Sequence, residues 1–320
     1  MMNLSIVLTV YNKEQYLRRA FDALLAQEGT SDGDYEILVV NDGSTDGSSA
    51  IIEKIARENK RIRVLSQKNQ GLSMARNNGV DAVQGEYVWF VDADDIISSQ
   101  SVKLICEAIA SQPDVIPIYA KTEGVDIVRN AIPVDVKTGK DILVCGRWQQ
   151  CGVFYIYRKS FLLDDNLRFM PSVYHEDAEF TPRMLYVAKS IKVIPEVLYT
   201  VYRDPDSITQ VPRAKRAFDY LTVAESLSRF VVDKGEAGTS IGNAIDGYTA
   251  QDINNAFFVI SQNSKNEQKK LNDVYYSKRD VLNRALKAAP QFKYKLESCL
   301  FSIFPKHYVL IYKVMKSFGR

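Results

Sequence analysis

Along the first hundred positions, apolar residues gather in short dense runs separated by stretches in which they recur every three to four residues. The dense runs are Leu4–Val10, Tyr35–Val40, Ile62–Leu65 and Tyr87–Val91, all rich in β-branched or aromatic residues. Such runs read as strands buried on both faces of a parallel sheet. The intervening stretches Glu14–Gln27, Asp46–Glu58, Leu72–Val83 and Ser101–Ser111 read as helices. Leu17, Phe21, Leu24 and Leu25 share one face of the first, and Ile51, Ile52 and Ile55 one face of the second. This alternation predicts a mostly parallel sheet with right-handed crossovers. From Asp114 to about Tyr202 the pattern is mixed, with strands near Val115–Tyr119 and Gly152–Tyr157 and a helix near Asp177–Ala188. Turn chemistry at Arg203-Asp204-Pro205-Asp206-Ser207 marks the end of a first domain. Beyond it, Ala214–Val232, Tyr248–Ser261 and Glu267–Ala288 read as helices. The expected organisation is an α/β domain over 1–210 and a helical region over 211–320.

Composition narrows the class. A chain of 320 residues can bury a full core, and a formal net charge of +2 does not mark a nucleic-acid binder. The four cysteines (Cys106, Cys145, Cys151, Cys299) lack CxxC pairs and neighbouring histidines, which argues against zinc and against a disulfide framework and fits a reducing cytoplasm. The apolar run Leu4–Val10 is too short for a signal peptide and lacks a basic segment before it. No stretch approaches the ~20 apolar residues that span a bilayer.

Polar clusters follow the dense runs. In YVWFVDADD (Tyr87–Asp95) a buried strand runs straight into three carboxylates, which repel one another unless a cation lies between them. Asp95 or Ser98 could simply cap the next helix. The strand-end position instead favours a site for magnesium or manganese with substrate phosphates, because open α/β sheets place ligands there and these ions take oxygen ligands. In Thr9-Val10-Tyr11-Asn12 a strand turns into a helix, and its backbone can lie against a flat base. In NDGSTDG (Asn41–Gly47), Asp42 can accept from the imide N–H of a uracil ring, with Ser44 or Thr45 capping the helix that follows; taken alone this is a turn with an N-cap. In NQGLSMARNNG (Asn69–Gly79), Gly71 permits close backbone approach and Arg76 can reach a phosphate, or else merely solvates a helix face.

Taken in order, TVYN, VVNDGSTDGS, NQGLSMARNNG and FVDADD resemble the donor-binding half of the family 2 inverting glycosyltransferases of GT-A fold. VYHEDAEF (Val173–Phe180) resembles that family's acidic motif, and YTVYRDPDSIT (Tyr199–Thr209) its usual close. The likeness covers roughly residues 3–210. It implies a Rossmann-like, mostly parallel GT-A domain with a helical C-terminal extension, and a hexosyl- or N-acetylhexosaminyl-transferase acting in cell-surface polysaccharide synthesis. Thr9, Tyr11 and Asp42 would hold the nucleoside with Arg76 beside it. Asp92 would contact the ribose and the metal region, and Asp94 would bind the divalent cation, Mn2+ or Mg2+. Asp177 would be the catalytic base, with Glu176 supporting it or touching the acceptor. The donor implied is a UDP-sugar and the acceptor a glycan or lipid-linked hydroxyl. Many relatives carry a proline before the Tyr-Asn pair where this chain has Val10. His175 is left outside the metal set.

The sequence also admits two other readings. A haloacid dehalogenase-like phosphotransferase also places two aspartates after a buried strand, and a non-catalytic relative would keep the fold as a sugar-nucleotide-binding module. The end of the chain carries its own ambiguity. Drawn as a helix from Lys306, it places Tyr308, Ile311, Tyr312, Met315 and Phe318 on one face and Lys306, Lys313, Lys316 and Arg320 on the other. That pattern suits either a peripheral contact with the inner face of the cytoplasmic membrane or docking against protein.

Overall fold

The computed structural model describes residues 2–31, 33–202 and 213–318. The chain divides into two compact units, Met1–Ser172 with Met184–Asp204, and Val173–Arg183 with Pro205–Arg320. The turn expected at 203–207 and the end of the YTVYRDPDSIT motif lie outside the described residues.

The first unit opens β1 (Leu4–Val10), α1 (Glu14–Leu25), β2 (Tyr35–Asn41), α2 (Ser48–Glu58), β3 (Ile62–Ser66), α3 (Leu72–Ala82), β4 (Tyr87–Asp92). These are the four dense runs and the helices between them, within two residues at each end. β1 pairs in parallel with both β2 and β4, and β2 with β3. Every residue of β1 and β2 is buried, because helices cover both faces of this part of the sheet. On α1 the buried stripe is Leu17, Ala20, Phe21 and Leu24.

The sheet continues beyond the parallel core. β5 (Ile96–Ile97), α4 (Ser101–Ile109), β6 (Val115–Thr122), β7 (Val125–Arg129), α5 (Gly139–Cys145), β8 (Tyr155–Arg158), α6 (Lys159–Asp164), α7 (Glu176–Val187) and β9 (Ile194–Val201) follow. The strand order is β3-β2-β1-β4-β8-β6-β9-β5, with β7 on β6. β8 runs antiparallel to β4 and β6, so the sheet is parallel on one side and mixed on the other. Gly152–Phe154 is a 3-10 turn rather than the start of the strand expected from Gly152.

In the second unit lie α8 (Ala214–Asp233), α9 (Ser240–Ile260), α10 (Lys265–Ser277), α11 (Arg279–Ala288), α12 (Phe292–Ile303) and α13 (Tyr308–Phe318). Two expectations fail here. The helix expected from Tyr248 begins two turns earlier, at Ser240, where the Thr239 hydroxyl accepts from Gly242 N–H. Gly242 and Gly247 depress helix propensity, yet a side chain at 242 would collide with the Glu236 carbonyl, so close approach requires the glycine. The single helix expected over Glu267–Ala288 is broken at Lys278. Turning there lets Leu271 and Tyr275 of α10 enter the same core as Leu282 and Leu286 of α11, and no glycine or proline announces the break.

Part of the apolar face drawn on the final helix is docked. Tyr308 and Tyr312 are buried in the helical core, with Tyr308 4.4 Å from the Tyr275 ring centroid and Tyr312 6.0 Å from that of Phe257. Asn272 Oδ1 accepts from Val309 N–H at 3.1 Å and fixes the start of α13. These two rings of the face that could have met lipid are covered by this unit's own helices.

Candidate active site

In the order β3-β2-β1-β4 the chain reverses its direction of growth between β1 and β4, and ligands of open α/β sheets gather outside the strand ends at such a point. Thr9 of β1 is the register partner of Asp92 of β4, so two of the polar clusters meet there by strand pairing alone. Asp92 Oδ1 accepts from Arg76 Nη2 at 3.1 Å and from Thr9 Oγ1 at 3.5 Å. The Arg76 side chain is 1% exposed, so it does not merely solvate a helix face. Its guanidinium lies 5.2 Å from the Phe169 ring centroid, on the inner side of α3.

Asp94 is met by cations that sequence reasoning missed. Lys13 Nζ lies 2.7 Å from Asp94 Oδ2, and Arg19 Nη2 donates to the Asp94 carbonyl at 2.6 Å. Burial raises the Asp94 carboxyl, as does neighbouring Asp92, while Lys13 opposes the shift. The carboxylates therefore crowd at this strand end with basic side chains as counter-ions. The donor set suits a divalent cation: two carboxylates on one tight turn are enough when waters and phosphates complete the shell.

Asp95 does a different job from the cap considered for it. The N-cap position of α4 is Gln100, without a side-chain cap, and Ser98 precedes it. Asp95 instead accepts from Tyr199 Oη and Tyr202 N–H, both at 2.8 Å, which ties the turn to the end of β9. Burial, then Asp92 and Asp94, push the Asp95 carboxyl up to about 8. Tyr199 Oη in turn accepts from Asp92 N–H at 3.1 Å, so a side chain of β9 braces the cluster.

The loops of the other two motifs interlock. Asn12 takes φ 51°, a left-handed conformation asparagine tolerates, and its Nδ2 donates to Thr45 Oγ1 while its N–H donates to Ser44 Oγ. Ser44 and Thr45 therefore brace the entry to α1, and neither caps α2, whose N-cap position is Gly47. Asp42 is 3% exposed and gathers the third motif: Oδ1 accepts from Gln67 Nε2 and Gln70 N–H, and Oδ2 from Gly71 N–H. Tyr11 stands half-exposed beside these loops.

Thr9, Arg76, Asp92 and Asp94 are thus brought together, with Asp42 and Tyr11 on adjoining strand ends. Glu176 and Asp177 belong to the second unit, at the start of α7. There the motif is anchored on α8: Tyr174 N–H donates to Asp219 Oδ2 at 2.8 Å, and Ser226 Oγ to Glu179 Oε1 at 2.9 Å. Glu176 is buried and Asp177 half-buried. His175, at φ 65°, stacks on Tyr220 at 3.8 Å between centroids, 13° from parallel. Burial and then Arg216 lower its imidazole to about 3, and Arg216 Nε lies 3.5 Å from Nε2.

A half-buried histidine stacked on Tyr220 has a measurable consequence. Below about pH 6.5 the unfolded chain protonates this ring while the folded one does not, so stability falls as pH drops toward about 3. Each pH unit in that window costs about 1.4 kcal/mol at most. Denaturant unfolding of the parent and of His175→Gln should show a steeper acid-side slope in the parent, above the carboxylate contribution that both share. An equal slope in both would mean that the ring is solvated.

A parallel core with a strand-end carboxylate cluster, extended by a mixed edge and followed by helices, defines an α/β protein of GT-A type. The glycosyl transferase family 2 model matches residues 5–162. The chain belongs to that family. It is 31% identical over 226 residues to the uncharacterized glycosyltransferase EpsJ of Bacillus subtilis (strain 168), covering 65% of this chain and 63% of that protein. The match thus spans less than two thirds of that relative's length. It is 30% identical over 243 residues to the putative glycosyltransferase EpsH of the same organism, covering 72% of this chain and 70% of the other. Among solved structures, residues 1–349 of Staphylococcus aureus TarS in complex with UDP-GlcNAc match with a TM-score of 0.77 at 21% identity, over 100% of this chain and 93% of the other.

Proposed function

We propose that this chain transfers a sugar from a nucleotide-diphosphate donor, a UDP-sugar, to a hydroxyl of a glycan or lipid-linked acceptor, with inversion at the anomeric carbon. The observation that carries the reading is the convergence of Thr9, Arg76, Asp92 and Asp94 at the β1/β4 strand ends. Family membership supports glycosyl transfer, and the UDP-GlcNAc bound by TarS supports a uridine donor.

The roles follow from each side chain's chemistry. Tyr11 offers an exposed ring beside the base, and Asp42 keeps lone-pair capacity beyond its three internal bonds for an imide N–H. Asp92, held by Arg76 and Thr9, presents its second oxygen toward ribose and metal, and Asp94 provides the other carboxylate for a divalent ion, Mn2+ or Mg2+. When bound, such an ion supplies Lewis-acid stabilisation of the charge on the departing diphosphate. Lys13 balances Asp94 in the chain itself, and a cation arriving there competes with this ammonium. Asp177 takes the proton of the attacking acceptor hydroxyl, with Glu176 supporting it or contacting the acceptor.

No helix among the described residues is long and apolar enough to cross a membrane. The four free thiols support a reducing compartment, hence a cytoplasmic setting. Thermal unfolding against a panel of nucleotide sugars with manganese tests the donor assignment, since a ligand that binds only the folded state raises its stability. A UDP-sugar should raise the midpoint in a manganese-dependent way. Stabilisation only by non-uridine nucleotides would overturn the uridine assignment, and none by any nucleotide sugar would overturn the donor site.

A further inference from the structure

α12 is apolar on both sides. Tyr294 and Phe301 of its inward face are buried in the helical core. Its outward stripe is Phe292, Leu296, Cys299 and Ile303, at i, i+4, i+7 and i+11, and all four are exposed, Phe292 by 78% and Ile303 by 59%. Phe304 extends the stripe past the helix end and is also exposed. Lys293 and Lys295 flank this second apolar stripe, and a helix with apolar stripes on opposite faces normally has something on each.

The charge around that stripe says what fits it. Between residues 290 and 318 the chain has five lysines, Lys293, Lys295, Lys306, Lys313 and Lys316, all exposed. The one carboxylate in the same span, Glu297, is buried and accepts from Asn254 Nδ2 at 2.6 Å. This segment, with aromatic and aliphatic side chains, five exposed lysines and no exposed carboxylate of its own, is complementary to phosphate headgroups over acyl chains. A second copy of the chain fits poorly, because a two-fold contact would set these lysines against one another.

We propose that α12, and not the apolar face of α13, is a membrane-interface element that lies in the headgroup region of an anionic bilayer. Phe292, Leu296, Ile303 and Phe304 enter the acyl boundary and the lysines pair with lipid phosphates. The inference does not depend on the transfer reaction, and its readout contains no sugar donor.

Co-sedimentation of the whole chain with phosphatidylglycerol-rich and with phosphatidylcholine vesicles tests it. The parent should bind the anionic vesicles, bind neutral ones far less, and lose affinity as salt is added. F292D/I303D, and separately K293Q/K295Q, should each weaken binding by about tenfold or more while circular dichroism and melting stay those of the parent. Two variants of different chemistry keep the test alive if one fails to fold. Failure of the parent to bind, or binding that neither variant changes, would overturn the proposal. So would a parent dimer that F292D/I303D dissociates without any vesicle binding, which would assign the stripe to a second copy.

Discussion

Asp94→Asn should lower manganese-dependent UDP affinity by about tenfold to a hundredfold or more, since even supporting groups of metal sites are worth that much. Transfer should fall with it, as the leaving diphosphate loses its charge stabilisation. The substitution keeps the size of the side chain but removes the charge that Lys13 balances at 2.7 Å. It therefore separates two effects by measurement. UDP binding without metal should change little if Asp94 acts through the cation, whereas a purely structural Lys13–Asp94 pair predicts a lower melting temperature and unchanged manganese dependence. Titration calorimetry with UDP, with and without manganese, distinguishes them. Affinity for UDP and manganese equal to the parent's would refute the assignment of the cluster.

Much of this site was legible from sequence because its parts lie at the ends of strands buried on both faces. Dense apolar runs fix β1, β2 and β4, parallel pairing sets Thr9 beside Asp92, and the polar residues immediately after each run have to emerge at one edge. The counter-ions were not legible. Lys13 and Asp94 are 81 positions apart, and a lysine after Tyr-Asn looks like ordinary helix-entry surface until the sheet folds. The same holds for Asp95, whose carboxylate is satisfied by Tyr199 and Tyr202 more than a hundred positions later. Local capping rules placed Ser44, Thr45 and Asp95 on the helices that follow them, but tertiary partners claimed all three. In the helical unit, amphipathic spacing found α8 but ran α10 and α11 together as one helix, and it could not say what covers each face. Tyr308 and Tyr312 of the stripe expected to face either lipid or protein on α13 dock on Tyr275 and Phe257, while α12, whose two opposed apolar stripes blur a single amphipathic period, keeps an open face.

Asp177→Asn should leave the fold and UDP binding close to those of the parent and lower transfer by ~10²–10⁴-fold, the range for removal of a general base. Asp177 lies in the first turn of α7 with Glu176 and Glu179, where negative charge is also favoured by the helix dipole, so a purely structural role is a real competitor. Asparagine separates the two roles. It retains hydrogen-bonding capacity at the helix start and loses only the ability to hold a proton as a carboxylate does. A structural role predicts near-normal transfer with a modest loss of stability; a catalytic one predicts the reverse. The stereochemistry supplies an independent check, because a single base-assisted displacement inverts the anomeric centre and needs no carboxylate nucleophile. NMR of the product from an α-linked donor should therefore show a β linkage. Retention of configuration would exclude the single displacement even if Asp177 proved essential, because it requires a second displacement such as attack of a carboxylate on the sugar.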